Sequence, residues 1–148
     1  MRSLLDEPVA DMSTRRLTTL LEATVLLKEQ SVALLSKQLR SAARLLTSSI
    51  NTPGEVIARH LGAAAVFLGK PHDAREYYNE ALDVCERVRF RPELALTRLS
   101  FAELLLDHYP DERAEAIEHL DFAIREFQEM KMQPSLERAL RHRELLKA

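Results

Sequence analysis

The chain has 148 residues, of which 46% are hydrophobic and 30% charged, and its formal net charge is −2. This composition is typical of one soluble globular domain, and a charge so close to neutral argues against a nucleic-acid-binding protein. One cysteine excludes an internal disulfide and favours a reducing compartment, and the uncharged run over residues 61–69 is too short to span a bilayer. We therefore predict a cytoplasmic protein that binds neither nucleic acid nor a membrane.

Residues 1–13 turn acidic early and lack an apolar signal-peptide core, so we predict a flexible N-terminal segment. Residues 14–50 are predicted to form a pair of helices, because their apolar residues recur at helical spacing. The first helix is marked by Leu17, Leu20, Leu21 and Val25, and the second by Leu35, Leu39, Ala42, Ala43 and Leu46. The break between them, near residues 28–31, is weakly marked, and one long helix is the alternative.

Five prolines mark the starts of the remaining predicted helices, because proline is tolerated in the first turn of a helix and is costly inside one. They are Pro53, Pro71, Pro92, Pro110 and Pro134, and Thr52 is the expected cap before the first of them. We predict helix pairs over residues 53–90 and 92–131 and a closing helix over 134–147. This makes seven helices joined by short turns, which force neighbours to run antiparallel. No segment alternates with a period of two, so we expect no strand.

Small residues recur at a spacing that predicts a structural repeat. In the first helix of each pair, Ala23, Gly62 and Ala102 are 39 and 40 residues apart. In the second helix, the corresponding positions are Ala42, Ala81 and Ala123, 39 and 42 residues apart. Small side chains at matching positions let paired helices approach closely, and repetition stacks the pairs into one continuous core.

The second and third pairs resemble the tetratricopeptide repeat, whose first helix carries Leu-Gly and whose second carries Ala-x3-Phe-x2-Ala. The second pair matches with Ala58, Leu61, Gly62, Ala65, Ala74, Tyr78 and Ala81, and the third with Phe101, Ala102, Leu105, Ala116, Leu120 and Ala123. The period is near 40 residues instead of about 34, and the large first aromatic is missing. Longer repeats of this kind are similar to the tetratricopeptide segments of large bacterial transcription activators and adenylate-cyclase-like regulators.

The resemblance covers residues of about 15–147 and implies an all-α fold over residues 14–148. This fold would be a right-handed α-solenoid of about three antiparallel helix pairs, closed by a capping helix. In that family the first helix of each pair lines an inner groove. The residues that fall there are Val56, Arg59, Ala63, Val66, Phe67, Leu96, Leu99, Glu103 and Leu106, with Leu17, Leu20, Thr24 and Lys28 from the first pair.

The groove so assigned is largely apolar, and the resemblance implies a non-catalytic module that binds a helical or extended segment of another protein there. Such a module would be a scaffold, an adaptor or the regulatory domain of a larger signalling or transcription regulator, and its partner could be another domain of the same parent protein. In the alternative interpretation, these side chains simply pack against neighbouring helices.

The sequence predicts no catalytic residue, no metal site and no cofactor. The five histidines are scattered over different helices and turns. His108 and His119 flank one turn with Asp107, Asp111 and Glu115, and we interpret them as solvated polar residues instead of metal ligands. Cys85 falls on an apolar helix face, where we expect it to be buried as a small hydrophobic side chain.

The predicted closing helix carries Glu137, Arg138, Arg141 and Glu144 on its outer side, which suits a polar cap that ends the array. Residues 1–13 offer no equivalent cap, so the chain would either continue upstream or be covered by a second copy. A self-associating homodimer is therefore the second hypothesis. A small-ligand-binding helical domain is the third, and it requires a pocket with convergent polar groups.

Overall fold

The structure of the chain, a computed structural model, describes residues 29–43, 46–49 and 52–147. The predicted N-terminal segment 1–13 and the first predicted helix, with Leu17, Leu20, Thr24 and Lys28, lie outside the described residues. The described part is helical except for one short strand pair. The predicted all-α class is therefore confirmed, whereas the expectation of no strand is wrong. Its elements are α1 (Glu29–Leu39), β1 (Leu46–Ser49), β2 (Thr52–Val56), α2 (Ile57–Phe67), α3 (Pro71–Val88), α4 (Arg91–His108), α5 (Arg113–Glu129) and α6 (Gln133–Leu145), with 3₁₀ turns at Arg40–Ala42 and Pro110–Glu112.

Four of the five prolines lie where the sequence predicts helix starts. Pro71 is the first residue of α3, whereas Pro92 and Pro134 are the second residues of α4 and α6. Pro110 opens the 3₁₀ turn that leads into α5. In the first turn of a helix the backbone N–H has no intrahelical partner, so its absence in proline costs nothing.

The prediction that Thr52 caps a helix starting at Pro53 is wrong, because this segment is the strand β2. It pairs antiparallel with β1, with Leu46 opposite Val56 and Ser49 opposite Thr52. Both strands of a two-stranded ribbon are edge strands, and an edge strand tolerates a proline that cannot donate. Helix α2 therefore begins four residues later than predicted, at Ile57.

Three helix ends share one cap geometry. At the end of α2, Gly69 has φ +68°, and the N–H groups of Gly69 and Lys70 donate to the carbonyls of Val66 (3.0 Å) and Ala65 (2.9 Å). This is the Schellman arrangement, which glycine favours because it needs a left-handed residue. Arg89 and Lys131 hold the same position after α3 and α5, with φ 54° and 56°, and each is followed within three residues by proline.

The chain divides into two compact units, Met1–Ala81 and Leu82–Ala148. The division falls within α3, so it does not coincide with a boundary between the predicted helix pairs. In unit 1, α1 buries the face that carries Val32, Leu35 and Leu39 and packs against α2.

Gly62 marks a close approach between α2 and α3 in unit 1. A Cβ atom at Gly62 would lie under 3.0 Å from three atoms of the buried Tyr78 ring. The missing side chain therefore lets the α3 aromatic rest on the α2 backbone. This contact joins two of the residues that carry the tetratricopeptide resemblance, and it explains the glycine as a helix-packing position.

Unit 2 is built around a core of buried residues from α4, α5 and α6. Its members are Ala95, Leu99, Ala102, Leu120, Ala123, Phe127 and Ala139. The side chain of Arg91, at the start of α4, binds Glu126 (2.7 Å) and Glu129 at the end of α5, so these two helices run antiparallel. The hydrogen bonds to Glu126 and Glu129 also raise the pKa of Arg91.

Candidate interaction surface

In unit 1, the predicted groove positions on α2 lie on one exposed face of that helix. Arg59, Ala63, Val66 and Phe67 are spaced i, i+4, i+7 and i+8, which aligns them along the helix. Ala63 is exposed, Arg59 and Val66 are half-buried, and 46% of the Phe67 surface is exposed. The opposite side of α2 is buried, so the helix presents one half-apolar stripe to solvent.

Val56 is buried, unlike the other predicted groove positions in unit 1. It ends strand β2 instead of lying on α2, and its side chain is fully buried. Its neighbour Ile57 is also fully buried. Val56 is therefore a core residue that no partner can reach, as the alternative interpretation, in which these positions pack against their neighbours, expects.

In unit 2, the corresponding face of α4 is covered by α6. Leu99 is only 1% exposed and belongs to the core, together with Ala139 of α6. Leu96 and Leu106 are partly buried and pack against the same cluster. These three apolar positions are thus occupied by contacts within the unit and leave no open apolar face on α4.

The fourth position on this face, Glu103, anchors α6. Its carboxylate accepts two hydrogen bonds from the Arg138 guanidinium, one of them 2.7 Å long between Nε and Oε1, and His142 Nε2 lies 2.8 Å from Oε1. The Glu103 side chain is 16% exposed. A bidentate pair of this kind is stronger than a simple surface ion pair, because its geometry is fixed. Arg138, expected on the outer side of the closing helix, therefore faces α4.

Two further contacts hold α6 against α5. Arg143 Nε donates to Asp121 Oδ1 at 2.8 Å, and Arg113 Nη2 donates to the carbonyl oxygen of Leu146 at 2.6 Å. Arg113 is at the start of α5 and Leu146 just past the end of α6, so these helices also run antiparallel. The closing helix contributes one fully buried residue, Ala139, and the partly buried Leu136 and Leu146 pack against the same core beside these polar contacts.

His119 is buried, which contradicts the prediction that it is solvated. Its ring is 7% exposed and stacks on Phe101, with centroids 4.9 Å apart. Arg98 Nη1 lies 3.2 Å from His119 Nδ1. Because arginine can only donate, Nδ1 is the acceptor and the ring proton is on Nε2. Burial, and next the positive charge of Arg98, lower the pKa of His119 from 6.5 to about 4.

Arg98 joins three helices of unit 2. Its guanidinium carbon lies 4.4 Å from the centroid of the Phe122 ring, a cation–π distance, and its Nη2 lies 3.6 Å from Glu86 Oε1. The positive charge is therefore balanced on α3 by Glu86 and on α5 by the aromatic face. The Arg98–His119 pair suits a core contact that sets helix packing, because the imidazole is neutral at pH 7 and shielded from solvent.

The described residues also show where the single cysteine lies and whether they offer a metal site or a membrane-spanning helix. Cys85 is fully buried and forms no disulfide, which confirms the expected burial. Among the described residues, no group of three or more histidine, cysteine, aspartate or glutamate side chains is arranged to hold a metal ion. Nor does any helix in the described ranges combine the length and apolar character that crossing a membrane requires.

A cleft in unit 1 between α1, α2 and the start of α3 was not predicted from the sequence. It has a volume of about 260 Å³, an apolar floor and a polar rim. The residues that line it are Ala33, Ser36, Lys37, Arg40, Leu61, Ala65, Leu68, Lys70, Asp73 and Tyr77. Its cations come from α1 (Lys37), the 3₁₀ turn that follows it (Arg40) and the connection between α2 and α3 (Lys70), so only the fold brings them together.

Comparisons with protein-family models, with curated proteins and with solved structures find no match to this chain.

Proposed function

We propose that the chain is a non-catalytic protein-binding module and that the exposed face of α2 takes up a helical or extended segment of its partner. The observation that carries the proposal is the stripe of Ala63, Val66 and Phe67, with 46% of the Phe67 surface exposed on a helix whose other side is buried. An exposed aromatic beside small apolar residues is a favourable anchor for a partner side chain.

The packing of the helix pairs supports the tetratricopeptide interpretation. Gly62 of α2 contacts Tyr78 of α3, and Ala102 of α4 shares a core with Leu120 and Ala123 of α5. All five are residues on which the resemblance rests. The stacking of the pairs into a right-handed solenoid stays a prediction, as do the cytoplasmic location and membership of a larger signalling or transcription regulator.

The proposed site on α2 is smaller than the groove predicted from the sequence. Val56 and Leu99 are core residues, Leu96 and Leu106 are packed, and Glu103 is bonded to α6. The proposal therefore rests on Arg59, Ala63, Val66 and Phe67 alone.

The test uses two variants with matched exposure. Phe67→Glu places a charge on the proposed site, whereas Val88→Glu does so at a position that is 47% exposed on another helix. Proteins retained by the immobilised chain are identified and then purified for a direct binding measurement. We expect Phe67→Glu to weaken binding at least about tenfold, the effect of losing an anchor side chain, while Val88→Glu binds as the unmodified chain does. Equal binding by both variants would contradict the proposal.

The homodimer hypothesis is tested on the same variants by light scattering over a concentration series. A dimer that Phe67→Glu dissociates would show that the partner on the α2 face is a second copy of this chain. A monomer at all concentrations leaves this face available to a different protein.

A further inference from the structure

The cleft in unit 1 provides the pocket with convergent polar groups that a small-ligand-binding domain requires. We infer that it binds a small organic anion, with a carboxylate or phosphate group attached to a short apolar chain. This inference is independent of the protein-binding proposal, because it concerns different residues from those on the exposed face of α2.

The charge of the cleft favours an anion. Lys37, Arg40 and Lys70 contribute three positive charges to its lining, against the single carboxylate of Asp73. Within the described residues, neither Lys37 nor Lys70 forms an ion pair, so both ammonium groups are available to a ligand. Several cations that line one cleft attract a negative group more strongly than isolated surface cations do.

Arg40 is already oriented in the cleft. Its Nε donates to the Tyr77 hydroxyl oxygen at 3.0 Å, which fixes the plane of the guanidinium. The terminal nitrogens of an arginine held in this way can donate to two oxygens of a carboxylate or phosphate. The Tyr77 hydroxyl keeps its own proton for donation, because it accepts from Arg40.

The apolar floor of the cleft would contact the apolar chain of the ligand. Leu61 and Ala65 are buried side chains of α2, and Leu68 is half-buried at its end. The volume of about 260 Å³ lies just below the range of roughly 300–1,000 Å³ that is usual for drug-sized ligands. The cleft therefore suits a ligand with a single charged head and a short tail.

A longer polyanion fits less well, because the neighbouring surface is acidic. A second cleft shares Arg40, Asp73 and Tyr77 with the first and adds Glu76 and Glu80. A nucleic-acid strand that left the cleft in this direction would bring its phosphates beside these carboxylates, which is unfavourable.

The experiment is a nuclear magnetic resonance titration of the isotope-labelled full chain with hexanoate and with hexyl phosphate. We expect saturable shifts of amide signals at Leu61, Lys70 and Tyr77, with half-saturation in roughly the millimolar range for ligands of this size. Tighter binding of hexanoate would identify the head group as a carboxylate, and tighter binding of hexyl phosphate as a phosphate.

Matched ligands and variants separate the cleft from nonspecific binding. Hexanol and hexylammonium carry the same tail without the negative charge, and we expect them to bind at least tenfold more weakly. The double variant Lys37→Gln/Lys70→Gln should weaken hexanoate at least tenfold, whereas Lys147→Gln, on the exposed end of unit 2, should not. Ala33→Phe, which fills the cleft from its exposed edge, should abolish the shifts.

Three results would overturn the inference. One is equal shifts with hexanol or hexylammonium, and another is hexanoate binding that survives the double lysine substitution. The third is a single-stranded ten-nucleotide DNA that saturates the same signals more tightly than both anions, since the cleft would then be part of a nucleic-acid surface.

Discussion

The sequence predicts equivalent positions in a repeat for helices α2 and α4, yet the predicted groove face is exposed on one helix and covered on the other. On α2 the face is exposed at Ala63 and Phe67. On α4 the equivalent face is covered, because Glu103 binds Arg138 and His142 of α6 and Leu99 packs with Ala139. A later helix, and not the pattern of the predicted groove positions, therefore decides whether such a face reaches solvent.

The largest expected effect is a loss of stability, and it is tested by truncating one apolar side chain on each face. Leu99→Ala should lower the free energy of unfolding by about 3 kcal/mol, because it leaves a cavity in the core of unit 2. Phe67→Ala should lower it by less than about 1 kcal/mol, since its ring is 46% exposed. Urea unfolding of the two variants measures both values. Equal losses would contradict the contrast between the open and the covered face.

The next effect concerns the anchor of α6. Glu103→Ala should cost about 2 kcal/mol, between the values for exposed and buried ion pairs, because it removes the hydrogen-bond acceptor of Arg138 and the carboxylate that faces His142. Hydrogen exchange of the α6 amides should accelerate at the same time. Glu137→Ala, at an exposed position of the same helix, should stay within about 0.5 kcal/mol of the unmodified chain. Unchanged exchange in the Glu103 variant would show that α6 is held by other contacts.

A smaller effect is a pH dependence of the stability of unit 2, which comes from His119. The pKa of His119 is lowered to about 4 in the folded chain from 6.5 in the unfolded chain, so between these values the unfolded chain binds the proton more tightly. The contribution of neutral His119 to the free energy of unfolding should be fully present above about pH 6.5. The free energy of unfolding should fall by roughly 1–2 kcal/mol as the pH drops towards 4, allowing for solvent screening.

His119→Gln provides the control for this pH dependence. The glutamine carbonyl can accept from Arg98 but does not titrate, so the variant should lose less stability over the same pH range. Unfolding curves recorded from pH 7 to pH 4 give the difference between the two chains. Identical pH profiles would exclude His119 as the source.

The smallest expected effect on stability comes from the residue at the left-handed cap position of a helix. The left-handed cap position is Gly69 after α2 but Lys131 after α5, with φ 56°. A side chain at a left-handed position is strained, so Lys131→Gly should stabilise the chain by about 0.5–1 kcal/mol despite the greater freedom of glycine when unfolded. Thermal unfolding should show a higher midpoint. A lower midpoint would mean that the Lys131 side chain makes a contact that outweighs the strain.

Local signals in the sequence predicted much of the fold. Proline has strong backbone preferences, so Pro71, Pro92 and Pro134 located helix starts. The missing side chain of Gly62 predicted close helix packing, which the Tyr78 ring confirms.

Features that depend on contacts distant in sequence were not predictable. The pairing of β1 with β2 overrides the cap signal at Thr52, because a proline-containing segment suits either an edge strand or a helix start. His119 lies near charged residues in the sequence, and only the stacking with Phe101 and the bond from Arg98 make it a core residue. The unit 1 cleft draws its cations from separate elements, so no spacing in the sequence reveals it.

Thiol labelling tests the contrast between the two faces most directly. Phe67→Cys and Leu99→Cys place one reactive group on each face, and the native Cys85 is fully buried and adds little background. We expect Phe67→Cys to react at least roughly a hundredfold faster, because labelling at position 99 requires local opening of unit 2. Comparable rates at the two positions would show that the α4 face is as accessible as the α2 face and would contradict the account.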